Sequence, residues 1–251
     1  MPNARLYVGT SGWSYDWWRG VFYPEGLPKE KWLSFYASQF KTVEINYSFY
    51  RLPSRSAFEK WSRTVPRDFI FAVKASRYIT HNKKLKGAED AWKRFIEASV
   101  GLGEKLGPIL FEFQPSWRKN ADRLAEFLEI LPRRLRYAFE FRHPSWFDEE
   151  IYRLLSEKGA SLVTADSPRF PLSFEETADF SFIRFHGGRI LYGSEYSSEE
   201  LKGWAERISD MLKRGRDVYA YFNNDAYGFA PKNARELLGL IAEIRGSCGG
   251  E

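Results

Sequence analysis

Glu140 and Arg142 stand two apart in the aromatic stretch "YAFEFRHPSWF", residues 137–147. Strand positions two apart share a face, so this pair points one way while Tyr137, Phe139 and Phe141 point the other. A carboxylate can move protons, and a guanidinium can grip an anion through two parallel hydrogen bonds. Similar groups recur near the ends of other strand-like stretches: Glu44, Asn46, Lys74, Glu112, Asp166, Arg184, His186 and Asn223. Desolvating so many ionisable groups without a purpose would be costly, so a functional site is expected where they meet. Glu140 or Asp166 with His186 would act as general acid and base, Arg142 and Arg184 would clamp the anion, and Asn223 would orient it. Lys74 could serve as a Schiff-base amine, although an ion pair with Glu44 or Glu140 is the plainer reading.

These residues need elements to carry them. Strand-like stretches fall at 5–11, 42–46, 69–76, 108–113, 136–141, 161–166, 180–186 and 217–224. Amphipathic stretches of helical length fall at 55–63, 89–101, 119–130, 148–157, 198–213 and 231–245. Asp90, Asp148 and Ser198 read as helix starts, and Gly101, Gly159 and Gly215 as stops. Eight strands alternating with helices imply parallel pairing through right-handed crossovers. In 251 residues this is the arithmetic of a TIM-type (β/α)8 barrel, a single α/β domain over 1–246 with a flexible tail at 247–251. The stretch from 167 to 179 is poor in helix signal, so at least one unit is irregular. A doubly wound open sheet is the runner-up, but no GxGxxG follows the first strand.

Period-two accounting sets Thr42, Glu44 and Asn46 on one face of strand 2, and Ile70, Ala72 and Lys74 on one face of strand 3. Strand 4 contributes Leu110, Glu112 and Gln114, and strand 6 contributes Leu162, Thr164 and Asp166. Strand 7 contributes Phe182, Arg184 and His186, and strand 8 contributes Tyr219, Tyr221 and Asn223. One face is apolar throughout, and the other turns polar only at its C-terminal tip. That is the pattern of a barrel whose packed interior opens at one mouth, where barrel enzymes work.

Composition narrows the classes. No apolar run approaches the ~20 residues of a membrane span. "MPNARLYVGTSGW" carries no apolar leader, and the single cysteine, Cys248, permits no internal disulfide, so a cytoplasmic location is expected. Two Met, one Cys and sparse Gln lean toward a thermophilic source. A net charge of +5 favours anionic partners modestly, with the short runs at 81–87 and 133–136 read as solvated faces.

"GTSGWSYDWW", "VEINYSFYRLP", "FAVKASRYITH", "FEFRHPSWF", "FIRFHG" and "YFNND" together resemble the DUF72, or YecE-like, family from about residue 5 to 245. The resemblance implies a TIM barrel with no settled activity. Its recurrent polar positions carry over onto Glu44, Asn46, Lys74, Thr80, His81, Glu140, Arg142, Ser145, Trp146, Asp166, Arg184, His186, Asn223 and Asn224. Asn46, His81, Trp146, Asn223 and Asn224 thereby join the arginines as candidate substrate contacts. One departure stands in strand 4, where Glu112 occupies the usual Gln.

Three histidines without HxH, HxxxH or paired cysteines exclude a multinuclear zinc site. Mg2+ or Mn2+ held by Glu44, Glu112, Glu140 and Asp166 is an alternative, but three cations on the same rim would balance those carboxylates, so no cofactor is expected to be required. No GxSxG elbow or Walker loop is present, and strand 7 ends in "RFHGG" where many sugar-cleaving barrels place a nucleophile. The expectation is a hydrolase acting on a small or oligomeric phosphate- or carboxylate-bearing substrate, phosphodiester cleavage included. The alternatives are a barrel isomerase or lyase, or a nucleic-acid binder without catalysis that uses the basic segment 81–86 with Tyr78, Trp17 and Trp18. Segment 77–88 is expected to be a mobile lid or anion gate. The oligomeric state is not readable.

Overall fold

A computed structural model describes residues 4–247. Eight parallel strands, β1 (Leu6–Thr10), β2 (Thr42–Ile45), β3 (Ile70–Lys74), β4 (Leu106–Glu112), β5 (Tyr137–Glu140), β6 (Ser161–Asp166), β7 (Phe180–Phe185) and β8 (Asp217–Phe222), form one sheet. Their order is β1-β8-β7-β6-β5-β4-β3-β2. Single parallel pairing of Ser11 with Glu44 brings the two edges together, with Gly12 N–H donating to the Glu44 carbonyl at 2.8 Å. The result is a nearly closed TIM-type barrel.

Around it lie α1 (Trp32–Gln39), the single turn α2 (Tyr47–Tyr50), α3 (Arg55–Thr64), α4 (Glu89–Ser99), α5 (Ala121–Ile130), α6 (Glu149–Lys158), α7 (Ser198–Lys213) and α8 (Phe229–Ser247). Local signals fix several ends. Asp148 caps α6 by accepting from Ile151 N–H, and Gly159 ends it in the left-handed region at φ 70°. α7 opens on a capping box between Ser197 and Glu200, one residue before the expected Ser198. No helix lies between β6 and β7, matching the irregular unit expected there. α1 has no counterpart in the sequence reading.

The seam between β1 and β2 is closed by a side chain. Tyr36 of α1 accepts from Thr10 N–H at 2.9 Å and donates to the Thr42 carbonyl at 3.1 Å, linking strands that share no regular ladder. Gly9 permits the approach, because a Cβ there would stand 2.3 Å from the Thr42 carbonyl oxygen.

Two apolar layers result. Tyr7, Ala72, Leu110, Ala138, Val163, Ala165, Phe180, Phe182, Tyr219 and Tyr221 fill the barrel interior. A larger aromatic layer fills the space between strands and helices. Strand 6 therefore runs opposite to expectation: Val163 and Ala165 face inward, while Leu162 joins the outer layer. Of the expected tail, Ser247 is the last residue of α8; 248–251, with Cys248, lie outside the described residues. No helix among the described residues is long and apolar enough to cross a membrane.

Candidate functional site

Above the apolar filling, the strand tips converge. Glu44 from β2, Lys74 from β3, Glu112 from β4, Glu140 from β5 and Arg184 from β7 meet, with Arg142 and His186 one or two residues past their strands. Arg184 is the hub. Its Nε and Nη2 hold Glu44 at 3.0 and 2.8 Å, while Nη1 reaches Glu112 at 2.9 Å and Glu140 at 2.6 Å. Arg142 donates to Glu140 at 2.7 Å and Glu112 at 2.6 Å, and Lys74 Nζ lies 2.7 Å from Glu112. Ser11 adds a hydrogen bond to Glu44 at 2.7 Å. Three carboxylates thus face three cations, and the cluster carries no net charge.

Burial on its own would favour protonated carboxyls. Lys74 and Arg142 outweigh it at Glu112 and hold that group at about 2; Arg142, Arg184 and His186 hold Glu140 well below the usual range. Burial pulls Lys74 below an ordinary lysine, with Glu112 only partly restoring it. His186, fully enclosed, is likewise pushed down by burial, with Glu140 opposing the shift. Its Nδ1 is 3.2 Å from Asn223 Nδ2, while Nε2 makes no hydrogen bond and stands 3.4 Å from Glu140 Oε1.

The cluster has an inside and an outside. Glu44, Glu140, Arg184 and His186 have no exposed surface. Lys74 and Glu112 keep 7% and 4%, and the Arg142 side chain 9%. Phe170 covers the Arg142 guanidinium at 4.3 Å and meets the His186 ring edge-on, and Tyr192 meets His186 from another side. His81 and Asn46 lie at the margin, both partly buried; burial lowers the His81 pKa.

Several expected contacts are elsewhere. Asp166 points outward and accepts from Trp204 Nε1 of α7 at 2.9 Å, so the four carboxylates proposed for a metal do not converge. Among the described residues no group of three His, Cys, Asp or Glu side chains is placed to hold one. Trp146 is fully buried in the outer layer, stacked on Phe141 and donating to the Trp117 carbonyl at 2.7 Å. Asn224 alternates away from Asn223 and binds Ser194 and Asn233. Arg184 has every nitrogen committed to carboxylates, which leaves no fork for a substrate anion. Trp18, expected on the surface, is buried. Segment 77–88 is a packed turn, with Ile79, Thr80, Leu85 and Ala88 all buried, rather than an open loop.

Ser11, Phe170 and Tyr192 were missed. Alternation from Tyr7 through Gly9 would have placed Ser11 on the inner face; nothing in the two long loops marks Phe170 or Tyr192. A cavity of about 550 Å³ at the opposite end of the barrel, lined by Arg5, Arg136, Asp217 and Tyr219 among others, involves none of the rim residues.

The family described as "Protein of unknown function DUF72" matches residues 7–247. The UPF0759 protein YunF of Bacillus subtilis is 26% identical, covering 94% of each chain, and the UPF0759 protein YecE of Escherichia coli is 27% identical, covering 81% of each. A DUF72 family protein from Thermotoga maritima superposes with a TM-score of 0.82 at 33% identity, over 95% of this chain and 99% of that one. One from Enterococcus faecalis, 23% identical over 94% and 95%, shares the fold with a TM-score of 0.80. Matched along nearly its whole length, on a barrel of the same shape, this chain belongs to the DUF72 family.

Proposed function

We propose that the protein is a cytoplasmic barrel hydrolase acting on a phosphate- or carboxylate-bearing substrate at the C-terminal mouth. The observation that carries this reading is the balanced cluster of three carboxylates and three cations. Burying it costs more than an apolar barrel filling would, and it lies at the end of the barrel where chemistry is done. Its outer members do the work. Lys74, held below the ordinary lysine range, donates and recovers a proton; Glu112, kept ionised, positions its ammonium. Arg142 meets the substrate anion, flanked by His81, Asn46 and Asn223. Glu44, Glu140, Arg184 and His186 form the enclosed base that fixes these three. No metal enters the proposed reaction.

The test is a panel of phosphomonoesters, phosphodiesters, carboxylate esters and glycosides, with and without EDTA, against the wild type and Lys74→Met. Turnover of an anionic ester that survives EDTA and falls by about 10²-fold or more in the folded variant is expected. Turnover confined to neutral glycosides, or equal in both proteins, would overturn the reading.

A further inference from the structure

Six large aromatic side chains are exposed on the segments that follow the C-terminal ends of the strands: Trp17 after β1, Tyr47 and Tyr50 after β2, Tyr78 after β3, Phe174 after β6 and Tyr227 after β8. Exposed rings of this size are ordinarily scattered; here they ring one mouth. Tyr47 and Tyr50 border a cleft of about 520 Å³ lined also by Trp13, Tyr15, Asn46 and Trp61. Asn46 Oδ1 is buried beside this largely aromatic cleft and finds no donor among the described residues.

Charge is distributed with the same bias. The three successive loops after β2, β3 and β4 hold Arg51, Arg77, Lys83, Lys84, Lys86 and Arg118, with Lys119 paired to Asp148 and Glu150, and they contain no Asp or Glu. None of the first six has an ion-pair partner among the described residues. Six such charges against a net of +5 leave the rest of the molecule near neutral, so the basic character is local. Lys83 already lies over the Tyr78 ring at 5.8 Å.

The cleft leads to the rim. Phe49, next to Tyr50, packs its ring under Lys74 Nζ at 4.0 Å and against His81 at 5.0 Å. A chain seated among the aromatic rings and running along the basic loops therefore passes Lys74.

We infer that this face binds single-stranded nucleic acid, with unpaired bases stacking in and around the aromatic cleft and phosphates following the loops after β2, β3 and β4. Cationic tracks interleaved with open ring faces suit a strand whose bases are free; a duplex hides the faces that the rings require. The inference builds on the proposed reading of the rim, since it makes the phosphodiester the anion presented to Lys74.

Fluorescence anisotropy with a labelled single-stranded oligonucleotide tests it, against the same sequence as duplex and a neutral oligosaccharide. Binding to the single strand should weaken with salt. Tyr50→Ala and Tyr78→Ala should each lose about tenfold, with Tyr50→Phe restoring it. Replacing Lys83, Lys84 and Lys86 by Ala should reduce the log–log salt slope by about 2. Melting curves establish that each variant is folded. Absence of binding at low salt, preference for the duplex, indifference to the tyrosine variants, or salt-independent uptake of the oligosaccharide would each overturn the assignment. Strand binding with no turnover, undiminished in Lys74→Met, keeps this surface and removes the reaction. Turnover of a small anionic ester without strand binding does the reverse.

Discussion

Glu112→Gln probes the charge cluster most directly, and Gln is the residue that the resemblance implies at this position. The change preserves shape and one acceptor oxygen but leaves three buried cations facing two carboxylates. In the wild type the Glu112 carboxyl titrates at about 2 against 4.5 when unperturbed. At 1.36 kcal/mol per unit, that depression stabilises the fold by about 3 kcal/mol. For a chain of this size the loss lowers Tm by about 6–12 °C at neutral pH. The sign follows from proton uptake. The unfolded carboxyl takes its proton near 4.5 and the folded one only near 2, so the stabilisation is complete above the first value and lost as pH falls toward the second. Urea melts of both proteins from pH 7 down to pH 2.5 should therefore converge. A difference that stays constant across this range, or one under about 0.5 kcal/mol at pH 7, would refute the claim that Glu112 is held ionised by its neighbours.

Trp146→Ala removes a ring enclosed by Phe113, Trp117 and Phe141, and should cost about 3–5 kcal/mol in denaturant melts while leaving ligand affinity of the folded fraction unchanged. Asp166→Asn should behave oppositely. Burial raises that carboxyl, so its contribution to stability is present at low pH and is lost as pH rises through the folded value; the neutral amide should melt no lower than wild type at pH 7. Tyr36→Phe should cost about 1–3 kcal/mol, because Thr10 N–H and the Thr42 carbonyl lose a buried partner, and hydrogen exchange at Thr10 should accelerate.

The barrel and most of its inward register could be read from alternation, because one polar tip per strand is visible against an apolar opposite face. β6 misled for a physical reason. Both faces of Ser161–Asp166 are covered, so Leu162 and Val163 are equally apolar, and only Asp166 suggested a direction. An acid at a strand tip can equally serve the helix layer when that layer offers a donor, as Trp204 does here. Asn223 and Asn224 illustrate a limit of carrying motifs over whole: just past the end of β8 these neighbours still alternate, Asn223 toward His186 and Asn224 toward Ser194, so both cannot face the mouth. α1 escaped notice because "WLSFYASQ" buries Trp32, Leu33, Tyr36 and Ala37 and follows an aromatic loop, without a clean polar stripe to mark it. The pairing pattern within the cluster was beyond sequence. Which cation meets which carboxylate depends on strand stagger, and that is how an arginine expected to grip substrate came to be spent on three glutamates.

The hydroxyl of Tyr36 stands where a run of main-chain bonds would otherwise zip the cylinder shut. With that phenol and the short Ser11–Glu44 pairing in place of a full ladder, the wall is weakest there, so the first opening of the native state should run down that line. Ser11, Glu44 and Asn46 border the same line, and any parting would slacken Glu44 from its arginine before the remaining walls yield. The arrangement of the charge cluster is thereby tied to an oxygen atom supplied from outside the cylinder.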